Sequence, residues 1–223
     1  MDSNTIQGRV DRLRCQVAEA CQRSGRATED VTVIAVTKGF GPDAVRAAIA
    51  AGITGVGENR VQEATSKKAA LGDVSGVTWH MIGHLQTNKV KSALQTVEII
   101  HSVDSLHLAQ AISDRAPVEV PVFIEVNVAN EPTKSGIALH ELPSFHGQLA
   151  ALPRLAVRGL MTVAPFGLPP SELRPLFRRL RTEAGVLGLA QLSMGMSDDF
   201  EVAVEEGATH IRVGRAIFGE RPR

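Results

Sequence analysis

The feature that most constrains this chain is a rhythm. From residue 31 onward, short runs of β-branched and small apolar residues alternate with stretches of helical periodicity. The runs fall at 31–37, 53–57, 78–82, 98–103, 121–128, 156–162, 190–195 and 210–214, and helical patterns such as 42–51, 59–70, 104–114 and 171–187 lie between them. Strands apolar on both faces, each followed by a helix or a turn, belong to a parallel sheet covered on both sides. Eight such units predict a closed (β/α)8 barrel of the TIM type, one α/β domain over 1–223. A doubly wound open sheet is the alternative, because periodicity does not register closure. Ahead of the barrel (31–221), the segment 1–30 carries an extra helix, with Ile6, Val10, Leu13, Val17 and Cys21 at helical spacing. Asp104 and Ser197 stand where N-caps belong, and Gly52 and Gly207 where helices end.

Composition then removes classes of function. Lys and Arg total 24 and Asp and Glu total 24, so no electrostatic footprint points to nucleic acid or an anionic membrane. No apolar run approaches the ~20 residues of a membrane span. The opening MDSNTIQGRVDRL lacks the apolar stretch of a secretory leader, so a cytoplasmic chain is expected. Cys15 and Cys21, six apart on one helix, suit neither a disulfide framework nor a metal pair. His80 and His84 are separated by a strand end and Gly83, not set on one helical face, so no metal site is expected. Arg174, Arg178, Arg179 and Arg181 read as a solvated basic helix face.

In a barrel, chemistry collects at the C-terminal ends of the strands, and phosphate sites favour the last two βα loops. The seventh run leads into SMGMSDD (193–199), whose small residues let backbone amides approach an anion and whose Ser197 offers a hydroxyl. Ser197 is otherwise a plain helix cap. The eighth run, HIRVGRAIFGE, ends at Gly214 and Arg215, a second close-approach point with a cation beside it. Lys38 closes VTVIAVTK, and in a closed barrel the first strand neighbours the eighth, so Lys38 stands beside that anion site. A lysine next to a phosphate cradle is the minimum constellation for pyridoxal 5′-phosphate (PLP); the bland alternative is a lysine snorkelling at a strand end. Arg212, two before Gly214 and on its face of the strand, fits the pyridine nitrogen of PLP or else a salt bridge to Glu58 or Glu125. Asn59, ending the second run in GVGENRVQE, donates to a ring oxygen or caps the next helix.

Taken together, AVTK around Lys38, GENRVQE, WHMIGHLQTNK, KSGI at 134–137, RGLMT at 158–162, SMGMSDDFE and IRVGRAIFGER resemble the pyridoxal phosphate homeostasis protein family over about 31–221. That family consists of PLP-binding barrels similar to the N-terminal domain of alanine racemase. The resemblance implies that Lys38 is the Schiff-base lysine. It also implies that Ser197, Gly214 and Arg215 hold the phosphate, that Arg212 faces the ring nitrogen and that Asn59 lines the site. Lys134 matches a family lysine and is a candidate secondary contact. The resemblance further implies a PLP carrier acting in vitamin B6 homeostasis and in amino-acid and keto-acid balance, with PLP-dependent apoenzymes as receivers. Two positions depart from the family pattern: Gly39-Phe40-Gly41 stands where many members carry a second lysine and a proline, and Arg215 where many carry Thr or Ser.

The competing reading is a PLP-dependent racemase of a small amino acid. Alanine racemase uses a lysine and a tyrosine as its two bases, the tyrosine coming from a separate domain of a second subunit. This sequence contains no tyrosine, which disfavours that mechanism. A Schiff-base aldolase on the same barrel leaves Arg212 without a role. The expectation is therefore a monomeric, non-catalytic PLP barrel.

Overall fold

The computed structural model describes residues 5–72 and 74–220. The start of the 1–30 segment and the last residue of 31–221 lie outside that set. The expected alternation is present: α1 (Ile6–Ser24), β1 (Thr32–Val36), α2 (Pro42–Ala50), β2 (Gly55–Glu58), α3 (Val61–Leu71), β3 (Thr78–Met81), α4 (Val90–Leu94), β4 (Ile99–Val103) and α5 (Leu106–Arg115) make up the first half. The second half runs β5 (Val120–Glu125), α6 (Leu142–Ala150), β6 (Leu155–Met161), α7 (Pro170–Val186), β7 (Gln191–Ser193), α8 (Phe200–Glu205), β8 (His210–Val213) and α9 (Arg215–Phe218). The eight strands are parallel and closed in sequence order, so the barrel holds and the open sheet does not.

Closure is made by β1 against β8, with Thr32 opposite His210, Ile34 opposite Arg212 and Ala35 opposite Val213. That register sets the end of β1 beside the end of β8. Where β6 meets β7 the backbones approach so closely that a Cβ on Gly159 would sit 1.9 Å from the Gln191 carbonyl oxygen. Only glycine fits there.

The apolar core fills the layer between sheet and helices, from Val45 and Val56 round to Phe177 and Leu192. The barrel interior is different. Branched apolar residues usually fill it, but here His101 and His210 flank Phe123, with His101 stacked on it at 4.4 Å between ring centroids, and His80 meets both histidines.

α1 starts where the Thr5 hydroxyl accepts from the Gly8 amide at 3.1 Å and stops at Gly25, whose φ of 67° a side chain resists. Its buried stripe, Val10, Leu13, Val17, Ala20 and Cys21, packs against α8 and α9. Each large apolar side chain buried there contributes ~1.5–3 kcal/mol. α1 thus backs the two helices that follow the proposed anion loops.

Two expectations change. The N-cap of α5 is Ser105, whose hydroxyl accepts from the Leu108 amide at 3.3 Å, while Asp104 faces His84 at 3.4 Å. Ser197 does not cap α8, which begins after Asp199. The arginines of α7 do face solvent as expected, and three of them, Arg174, Arg178 and Arg181, also converge on the buried Glu206 just past α8. Arg179 pairs along its own helix with Glu183.

Candidate functional site

A cavity of about 480 Å³ opens at the C-terminal mouth of the barrel, and Lys38, Asn59, Ser197, Arg212, Gly214 and Arg215 all line it. It falls within the ~300–1,000 Å³ common for small-ligand sites. Its apolar wall comes from Val36, Phe40, Ile82, Val163 and Phe166, enough to cover an aromatic ring. Sequence distance between these groups is large, and the β1–β8 closure and the β2 end are what bring them together.

Lys38 lies two residues past β1 in a turn closed by the Phe40 amide donating to the Thr37 carbonyl at 3.0 Å. It is half-buried, with its neighbour Gly39 at φ 78°. Phe40 meets Phe218 of α9 with centroids 5.2 Å apart, so this turn leans on the helix that follows β8.

Ser197, on the same cavity, joins two loops. Its hydroxyl oxygen accepts from the Ala216 amide in the first turn of α9 at 3.3 Å, leaving the hydroxyl proton to donate. Gly214 precedes α9, and a Cβ there would approach the Val36 carbonyl oxygen to 3.3 Å. A side chain would narrow this cradle. Arg215 turns its guanidinium to Asp198, with Glu220 at 3.9 Å. An anion in the cradle therefore competes with Asp198 for that charge.

Arg212 is buried within β8 and donates from Nη1 to the Ser193 carbonyl (2.6 Å) and hydroxyl (2.8 Å), and from Nη2 to the Thr162 carbonyl (2.7 Å). Among the described residues no carboxylate is within ion-pair distance of it. Glu58 pairs with Lys67 instead. Burial lowers the Arg212 pKa to about 10, opposed by Asp199 and Glu125, so it remains a cation at neutral pH. Burial raises Glu125 to about 7, with Asp104 adding to the rise and Arg212 and His84 opposing it.

Behind Arg212 runs a hydrogen-bonded chain that sequence reading missed: Ser193 Oγ to His101 Nδ1 at 2.8 Å, then His101 Nε2 to His80 Nδ1 at 2.9 Å. Burial lowers the pKa of both histidines, His80 to about 3, so both are neutral. One polarity satisfies every group. A guanidinium only donates, so the Ser193 hydroxyl donates its hydrogen bond to His101 Nδ1, and His101 donates from Nε2 to His80 Nδ1. The chain fixes Arg212 from beneath.

Asn59 does not cap α3, whose N-cap is Arg60. Its Oδ1 is buried without a hydrogen-bond partner. An orphaned amide oxygen in a cavity wall is costly unless a ligand or water meets it. Lys134 stands outside the cavity lining. Its Nζ meets Glu131 at 2.6 Å and the carbonyl of Val163, a lining residue, at 3.4 Å. Among the described residues no group of three His, Cys, Asp or Glu side chains could hold a metal ion, and no helix is long and apolar enough to cross a membrane. An amine, a serine-and-glycine anion cradle, a fixed cation, an orphaned amide and apolar walls suit a phosphorylated aromatic aldehyde. PLP fits the residues present.

Comparison with known proteins gives the same direction. Residues 9–222 match the family model for the alanine racemase N-terminal domain. The chain is 42% identical over 222 residues to the pyridoxal phosphate homeostasis protein of Aquifex aeolicus, covering 96% of this chain and 97% of that one. It is 37% identical to the Escherichia coli protein of the same name, covering 98% and 97%. Among solved structures, PipY of Synechococcus elongatus with PLP bound superposes with a TM-score of 0.82 at 40% identity, covering 91% of this chain and 100% of that one. Alanine racemase of Corynebacterium glutamicum shares the fold, with a TM-score of 0.70 at 20% identity over 95% of this chain and 61% of that one.

Proposed function

Because this chain belongs to the pyridoxal phosphate homeostasis protein family, we propose that it binds PLP in the cavity at the barrel mouth and serves in intracellular PLP homeostasis. One observation carries the reading: the six residues expected to hold the cofactor, Lys38 and the Ser197–Gly214 cradle among them, line a single cavity. Lys38 would supply the amine that holds the cofactor through its aldehyde. Ser197 and the amides around Gly214 would hold the phosphate, and Asn59 would offer its unpartnered amide oxygen to the ligand. When bound, PLP supplies an electron sink for bonds to an amino-acid α-carbon. Arg212, a buried cation in the cavity wall, would weaken that sink by disfavouring protonation of a ring nitrogen held near it.

The function is carriage rather than turnover. The sequence offers no tyrosine as a second base, and the histidines behind Arg212 are neutral and committed to one another. The working unit is a cytoplasmic monomer, a single domain over 1–223, that passes PLP to PLP-dependent apoenzymes.

The test is a pair of measurements on PLP-loaded protein. Transfer of PLP to an apo-aminotransferase should restore that enzyme's activity, while L-alanine in deuterated water should keep its α-proton. Robust α-proton exchange would overturn the carrier reading in favour of a racemase.

A further inference from the structure

The use of Lys38 leaves a second lysine unexplained. Lys67 lies mid-way along α3 and is only 5% exposed, and lysine is almost never buried unless paired. Its Nζ donates to the Thr37 carbonyl at 2.6 Å and to Glu58 Oε1 at 2.5 Å, with Glu63 Oε2 at 3.7 Å. Glu58 is fully buried, also accepts from the Thr37 hydroxyl, and has a second oxygen with no partner. Glu63 Oε2 accepts from the Gly39 amide at 3.1 Å. The residue before Lys38 and the residue after it are thus each held by charged side chains of β2 and α3.

Stability alone does not account for this arrangement. Burying two charges costs several kcal/mol each before their attraction offsets it, and an apolar pair of similar volume is often as stable. What the ion pair adds is direction. Nζ has one acceptor on Glu58 and one on the backbone of Thr37, so the pair ties the Lys38 turn to β2 at a fixed distance. Glu63 fixes the far side of the same turn.

We propose that Lys67, with Glu58 and Glu63, is a positioning group that sets the Lys38 amine toward the cofactor cavity. The turn carries Gly39-Phe40-Gly41, with two glycines whose backbone freedom would otherwise let Lys38 wander. The clamp removes that freedom from behind, and the Phe40–Phe218 contact removes it from the side of the phosphate cradle. This inference rests on the reading that Lys38 holds PLP.

Its test uses the full chain and two variants. Lys67→Met strands the Glu58 charge and is expected to unfold more easily. The double variant Glu58→Gln/Lys67→Met removes both charges at similar volume and keeps the fold. In the double variant without cofactor, hydrogen exchange of the Gly39 and Phe40 amides should quicken by about tenfold or more. On titration with PLP, its dissociation constant should rise about tenfold, and the pH midpoint of the Lys38-dependent visible band should move. A purely structural role is rescued in the double variant, so unchanged affinity and midpoint overturn the inference even if the amides exchange faster. Unchanged exchange overturns it as well. A wild-type protein that shows no Lys38-dependent band overturns the PLP reading instead, and the exchange arm still judges the clamp.

Discussion

Glu206 is a place where a single charge should matter measurably to stability. It is 3% exposed, yet it accepts from Arg174 Nη1 at 3.0 Å and from Arg178 Nε and Nη2 at 3.1 and 2.8 Å, with Arg181 at 3.5 Å. The perturbation is Glu206→Gln, which keeps the shape and removes the charge. An exposed pair contributes ~0–1 kcal/mol, whereas breaking a buried one costs ~3–5 kcal/mol. Glu206 is buried but its arginines are 37–58% exposed, so water takes up part of the loss. A cost of ~2 kcal/mol follows, which for a domain of this size lowers Tm by ~4–8 °C. The sign with pH is fixed by direction. Although burial alone would raise it, hydrogen bonds from Arg178 and Arg174 hold the Glu206 carboxyl below 4.5. Its contribution is complete above the unfolded value and fades as pH falls through the lower folded value. Thermal unfolding of both proteins at pH 7 and at about pH 3 should show a gap that shrinks in acid. A gap equal at both pH values, or below ~1 °C at pH 7, would refute the reasoning.

Other outcomes follow from single contacts. Gly159→Ala should not give soluble folded protein by circular dichroism, because its Cβ would sit 1.9 Å from the Gln191 carbonyl oxygen and part β6 from β7. Glu125→Gln should raise Tm at pH 8 and leave it nearly unchanged at pH 4. A carboxyl lifted from 4.5 to about 7 by burial costs stability only as pH climbs through that window, by at most ~3 kcal/mol. Arg212→Met should weaken PLP binding at least ~tenfold in an absorbance titration and shift the visible band, since it strands the acceptors on Ser193 and Thr162; unaltered binding and spectrum would remove Arg212 from the site.

The strands and the cavity residues were legible because each has a local signature. Apolar runs mark strands, a lysine ending such a run is conspicuous, and glycine beside arginine after the last strand marks an anion turn. The register that seats Ile34 opposite Arg212 then placed them together. What stayed hidden depends on partners distant in sequence. Lys67 looks like any lysine on a helix, and only the fold reveals Thr37 and Glu58 against it. His101 and Ser193 sit 92 residues apart, and neither strand signals what lies across the barrel. The arginines of α7 do face solvent, but their carboxylate partners stayed hidden because Glu205 and Glu206 lie beyond the next strand. Ser197 looked like a helix cap because α8 follows closely, yet its hydroxyl turns to Ala216 of another helix.

The central claim is that PLP is held by Lys38, and reductive trapping tests it most directly. Protein mixed with PLP is reduced with borohydride, digested and examined by mass spectrometry. The account predicts the phosphopyridoxyl mass on the peptide containing Lys38, and none on that peptide in Lys38→Ala. Label confined to Lys134 or Lys67, or a wild-type protein that takes up no label, would contradict it.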